Sequence, residues 1–187
     1  AADLPPGLML SSQLLASLVA GDPSAGIPGL LTLTLTASDS FNFYGDVSLS
    51  TIDPATGQSS LQQLTLNTPA IYGYTTPDDP NAVATLTTGT LVWNGLYNGS
   101  NNASAPPGVV TANGPGTGTG TLDIIASQII LGYPANAPVL SGNVPLARSM
   151  LGFSTVNLTG TTQIVAGDSG SLTVYQTQST TGGVTTS

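Results

Sequence analysis

The chain has no cysteine and no histidine, and it also lacks glutamate and lysine. Nine acidic side chains, all aspartates, face a single cation, Arg148, for a formal net charge of −8 over 187 residues. Each absence removes a class of chemistry. Without thiolate or imidazole, the usual zinc, haem and iron–sulfur sites are excluded. Cys-His dyads and Ser-His-Asp triads go with them, and no cofactor is expected. Nucleic-acid binding is disfavoured, because neutralising phosphates takes several cations. An acidic surface is repelled by anionic membranes. Nor is there a spanning segment: the apolar stretch near 8–20 is interrupted by Ser11, Ser12 and Gln13 and falls short of the roughly 20 apolar residues a span requires. No basic region precedes that stretch, so no signal peptide is visible. An exported form would have lost its signal peptide or be an internal piece.

What remains is polar without being charged. Charged residues make up 5% of the chain and hydrophobic residues 40%. Threonine, serine, asparagine and glutamine take over the polar role. Threonine favours strands, whereas the missing lysine and glutamate favour helices. A mean hydropathy of +0.24 argues against disorder, which goes with few apolar residues and high charge. An ordered all-β chain of one domain is expected.

Along the chain, a short N-terminal helix is predicted within 8–20, presenting Leu10, Leu14, Leu15 and Leu18 on one face between Pro5-Pro6-Gly7 and Gly21-Asp22-Pro23. It belongs to an N-terminal segment, 1–29, that could cap a sheet stack. From 30 to 176 the sequence reads as strands and turns. Leu31–Thr36 alternates leucine with threonine, and Phe41–Phe43, Val47–Ser50, Leu61–Leu66 and Ile71–Tyr74 continue in that style. Further on, Ala84–Thr87 and Thr90–Trp93 form a pair around Gly89. Thr121–Ile125 with Gln128–Leu131, and Ser154–Leu158 with Thr162–Val165, are similar pairs, and Ser171–Tyr175 closes the series. Turn-rich stretches near 75–81 and 97–120 are expected to project as loops, and 177–187 to be a polar tail.

Comparable pairs recur after roughly 20–30 residues, the range of solenoid periods. Stacked parallel coils explain the low charge: each residue lies about 4.8 Å above its equivalent, so a repeated charge would face a like charge. Neutral hydrogen-bonding side chains avoid that repulsion. A parallel β-helix is therefore preferred over the alternative, a β-sandwich of hairpins, for which Asn-Gly and Asp-Gly turns are too few.

The segments Ser38–Leu49 (SDSFNFYGDVSL), Gly120–Gly132 (GTLDIIASQIILG), Gly152–Gly160 and Ile164–Val174 resemble recurring segments of filamentous haemagglutinin-like exoproteins of bacterial two-partner secretion. The resemblance covers about 30–176. It implies a right-handed parallel β-helix within a long secreted shaft at the bacterial surface. It further implies roles in cell attachment or biofilm formation, an outer-membrane secretion transporter as partner, and possible self-association into filaments. No secretion domain of that family is recognisable, which implies a mid-shaft or later piece and leaves a host or bacterial glycan or protein ligand unspecified.

Candidate chemistry is sparse. A polysaccharide-cleaving β-helix would need two carboxylates about 5–9.5 Å apart. The one adjacent pair, Asp78-Asp79, lies between Pro77 and Pro80 and reads as a turn. The G-G-x-G-x-D calcium repeat is absent. Arg148 suggests one ion pair or a carbonyl clamp. Trp93, Tyr97, Tyr72 and Tyr74, with Tyr133, could form an exposed sugar-stacking patch, their simpler reading being core or ladder residues. Sequons at Asn98, Asn102 and Asn157 matter only in a eukaryotic secretory pathway. No catalytic or metal residue is assigned. The sequence predicts a non-enzymatic structural or adhesive segment, with a polysaccharide-binding or polysaccharide-cleaving β-helix as the alternative.

Overall fold

Hydroxyl-apolar alternation in a chain with little charge produces an almost entirely extended backbone. The computed structural model describes residues 10–37, 39–95, 114–132, 147–167, 170–175, 179–181 and 184–186. One helix, α1 (Ser12–Ala20), precedes the strands β1 (Thr32–Thr36), β2 (Phe41–Tyr44), β3 (Val47–Ser50), β4 (Gln63–Asn67), β5 (Ala70–Tyr74) and β6 (Val83–Trp93). After these come β7 (Gly120–Leu131), β8 (Ala147–Leu151), β9 (Phe153–Ala166), β10 (Ser171–Tyr175), β11 (Ser179–Thr181) and β12 (Val184–Thr186).

Every pairing among β1–β10 is parallel, so the hairpin sandwich is set aside. The chain winds as a parallel β-solenoid of about three turns, matching a right-handed β-helix. Its three faces follow from the pairings. One stacks β1, β4 and the second halves of β6, β7 and β9. Another stacks β3 and the first halves of β6, β7 and β9. The remaining face stacks β2, β5, β8 and β10. Equivalent residues in successive coils lie between 24 and 38 positions apart, reaching beyond the repeat the sequence suggested, and β8 stacks on β5 across 79 positions.

The expected strand pairs around Gly89 and between 125 and 128, and the pair in 154–165, are single long strands, not two strands with a turn. The corner is turned by a change of parity. In β6 the inward residues are Ala84, Leu86 and Thr88 before Gly89, but Leu91 and Trp93 after it. β7 repeats the switch, from Leu122, Ile124 and Ala126 to Ile129, and β9 answers with a register shift opposite Ala126 and Gln128. A Cβ at Gly89 would meet Ser59 Cβ at 2.9 Å, which explains the glycine at this corner.

Inside, aliphatic residues stack in files: Leu33, Leu64, Leu91 and Ile129 on one face, and Leu49, Leu86 and Ile124 on another. Polar files run beside them. Asn94 Nδ2 donates to Asn67 Oδ1 at 2.9 Å, and Asn67 Nδ2 reaches Thr36 Oγ1 at 3.4 Å. Thr51 Oγ1 joins Thr88 Oγ1 and Ser59 Oγ at 2.8 Å each, a buried hydroxyl chain at a corner.

At the start of the stack, Ser11 caps α1 by accepting from Leu14 N at 3.1 Å, and Gly21 ends the helix at φ 65°. The helix buries Leu15 and Val19 against the core, while Leu14 and Leu18 are exposed. The inward face is thus an i, i+4 pair, narrower than the leucine face the sequence suggested.

The two expected loops differ. The 75–81 stretch is a turn, with Asp79 N donating to Thr76 O at 3.0 Å. Of 97–120, residues 97–113 lie outside the described residues. The end of that stretch does not project: Gly116 N and Gly118 N donate to Gly73 O at 2.8 and 3.2 Å, and Gly120 begins β7. Within the expected polar tail, β11 and β12 pair antiparallel.

Candidate functional site

Strand parity decides which side chains can meet a partner. In β5, Ile71 faces inward, so Tyr72 and Tyr74 face outward, both half-buried. Parallel register sets Tyr44 of β2 beside Tyr74, and Asn42 and Leu151 on either side of Tyr72. The Tyr44 and Tyr74 rings are 5.9 Å apart at 59°, within the range of favourable aromatic pairs. The result is a tyrosine stripe up one face of the stack. Desolvation raises the pKa values of Tyr44 and Tyr72 above the ordinary tyrosine value, and the Asp39 carboxylate adds to the shift at Tyr72.

At the end of this stripe, where the chain leaves β5, lies an open cleft of about 240 Å³. Tyr74, Pro77 and Pro80 supply apolar walls, and Thr75, Thr76, Thr117 and Thr119 supply polar lining. Two distant segments meet here because Thr119 N donates to Thr75 Oγ1 at 3.0 Å and Thr119 Oγ1 to Pro80 O at 2.7 Å. Accepting from Thr119 leaves the proton of the Thr75 hydroxyl able to reach a ligand. No charged side chain is among the described residues lining the cleft. Hydrogen bonding and ring stacking are the chemistry available.

The close approach behind the cleft is a glycine device. A Cβ on Gly73 would collide with Gly152 O and lie 2.5 Å from Phe153 Cε1, and one on Gly118 would lie 2.6 Å from Gly152 O. Phe153 fills the space over Gly73 from within the core.

Trp93 is corrected: it is 1% exposed, its indole N–H donating to Thr68 O at 2.8 Å. It is a core residue because the parity switch at Gly89 turns it inward. Tyr72 and Tyr74 lie on the same outward side of β5, both half-buried. Tyr97 and Tyr133 lie outside the described residues, as do Asn98 and Asn102. Asn157 instead donates Nδ2 to Asp123 Oδ1 of the coil below at 2.7 Å.

Arg148 is 2% exposed and acts as a carbonyl clamp: Nε donates to Trp93 O at 2.8 Å and Nη2 to Asn94 O at 3.5 Å. Asp78 and Asp79 sit in the turn and do not line the cleft. Among the described residues, no three acidic side chains gather as a metal site would require. The sequence reading missed Tyr44, Thr117 and Thr119 as parts of this surface. Only the register of β2 on β5 could have revealed Tyr44, and nothing local marks the two threonines.

Comparison of the chain with protein-family models, with curated proteins and with solved structures gives no match.

Proposed function

We propose that the chain is a non-enzymatic structural and adhesive segment of a secreted bacterial surface filament, serving cell attachment or biofilm formation. The observation that carries this reading is the outward stripe of Tyr44 and Tyr74 running into an uncharged, threonine-lined cleft on a parallel β-stack. Rigid tyrosine faces give contact area at low entropic cost, and hydroxyl groups add adaptable hydrogen bonds. Resemblance to filamentous haemagglutinin-like exoproteins supports the secreted setting and an outer-membrane transporter as partner. The test is adhesion of beads coated with the chain to bacterial and epithelial surfaces. Tyr44→Ala with Tyr74→Ala should reduce attachment at least several-fold while strand-rich circular dichroism is retained. Unchanged attachment in that folded variant would sink the reading.

A second reading, polysaccharide binding, is favoured by the pairing of Tyr74 with Thr75 and Thr119 at the cleft, a ring face beside hydroxyl groups. A glycan array separates the two: saturable binding to a neutral oligosaccharide, lost in Tyr74→Ala, selects the second. Cleavage would require turnover of a polysaccharide that Asp78→Asn with Asp79→Asn abolishes.

A further inference from the structure

The hydroxyls of the cleft beside Tyr74 are not interchangeable. Thr119 Oγ1 donates its proton to Pro80 O and Thr117 Oγ1 donates its proton to Gly114 O, both at 2.7 Å. A hydroxyl holds one proton and two lone pairs, so these two threonines have only lone pairs left for a ligand. Thr75 is the opposite case. Its Oγ1 accepts from Thr119 N at 3.0 Å and keeps its own proton. That bond also holds the Thr75 donor next to the residue carrying the Thr119 acceptor. Thr76, exposed at the rim, has a hydroxyl that turns to suit.

Charge adds a second constraint. Pro77 and Pro80 line the cleft, and Asp78 and Asp79 stand between them in the turn. No charged side chain is among the described residues lining the cleft, and the one cation of the sequence, Arg148, is 2% exposed and bound to main-chain carbonyls. A carboxylate, sulfate or phosphate brings acceptors alone, and would meet committed lone pairs beside two aspartates. A sugar hydroxyl both donates and accepts.

We infer that the cleft selects neutral sugars over acidic ones by hydroxyl pattern: of two neighbouring ring hydroxyls, one donates to Thr119 Oγ1 and the other accepts from Thr75 Oγ1, with the C–H face of the ring against Tyr74. This selectivity rests on the polysaccharide-binding reading of the cleft and specifies which sugars that reading admits. A site built to hydrogen-bond a hydroxyl rejects the analogue that lacks it.

The test applies the 187-residue chain to an array of neutral oligosaccharides of glucose, galactose and mannose, each beside its uronate of the same linkage, with calorimetry on the best neutral binder. Binding should be confined to the neutral sugars. The uronates should stay unbound in about 0.5 M salt, where surface charge is screened and the hydrogen-bond mismatch persists. Thr75→Val and Thr119→Val should each weaken binding roughly five- to tenfold with circular dichroism unchanged, and Thr75→Ser should keep it. If a valine variant loses its strand spectrum, the parent chain gives the same comparison with deoxy forms of the sugar lacking one hydroxyl of the pair. A uronate bound as tightly as its neutral counterpart, or affinity unchanged by both valines or by the deoxy sugars, would overturn the selectivity and leave polysaccharide binding standing. Binding to none of the sugars, neutral or acidic, would remove the polysaccharide-binding reading and the selectivity with it.

Discussion

Arg148 Nε donates to the main-chain carbonyl of Trp93 at 2.8 Å, a contact between residues 55 positions apart. Trp93 ends β6, and β8, which carries Arg148, pairs directly with β5. The only cation in the sequence thus ties the end of one strand to a strand arriving from a later coil. Trp93 O keeps Gly132 N as a donor at 2.9 Å, so removing the guanidinium takes away its second donor and the contact to Asn94 O. Arg148→Met should therefore lower stability by about 1–3 kcal/mol. A shift of the denaturant midpoint at constant m-value would show it, and a variant as stable as the parent would refute the clamp.

Asn157 and Asp123 test the physical basis of the low charge. Replacing Asn157 with Asp puts like charges in the place of a 2.7 Å hydrogen bond between adjacent coils. Opposed like charges in neighbouring strands are destabilising, on the order of 1 kcal/mol here. Thermal denaturation of Asn157→Asp should show a deficit that shrinks as salt rises, because the pair is exposed. A deficit independent of salt would assign the loss to the hydrogen bond alone.

Gly73→Ala should cost about 1–3 kcal/mol, the usual range for overpacking, because the added Cβ would lie 2.5 Å from Phe153 Cε1. Gly45→Ala is the comparison: nothing lies within 4 Å of its added Cβ, and only its φ of 66° opposes the change, worth about 1 kcal/mol. Equal losses in urea unfolding would remove the close-approach argument.

Alkaline titration should show Tyr44 and Tyr72 ionising late. Tyr44 and Tyr72 have folded pKa values raised above 10.0 by desolvation, with Asp39 assisting at Tyr72. A raised folded pKa means the unfolded chain loses its phenolic protons first. The stability these residues contribute is thus fully present below pH about 10 and is lost as pH rises through the folded values. Absorbance at the tyrosinate band, followed beside strand content, measures both. Asp22 has the opposite sign: its pKa is lowered by Ser24 and Ala25. Its contribution is present above the unfolded aspartate pKa and fades as pH falls through the folded value.

The parallel stack was legible because its cause is repeated in every coil. Leucine-threonine alternation, solenoid spacing and missing charges all follow from one register. The corners were not legible. Gly89 and Ser127 look like punctuation between strands, yet the backbone continues through them and changes which parity faces inward. Trp93, four positions past Gly89 and turned inward, therefore lies in the core, the simpler of the two readings the sequence offers. The cleft was hidden for a different reason: Tyr74, Pro80 and Thr119 come together through bonds spanning 39 and 44 positions, and no local pattern encodes such contacts. α1 was visible from its leucines, but its orientation depends on what the first coil leaves open.

The pairing of β8 with β5 has a mechanical meaning. In an ordinary solenoid under axial tension, coils can peel away singly, each rupture independent of the next. Here β8, a strand of a later winding, is bonded to the earlier β5 and also carries β10. The winding of β6, which lies between them, cannot leave until that cross-tie parts. Tension on this stack should therefore release that winding together with its neighbour in one event, so the resisting unit is larger than the repeat from which it is built.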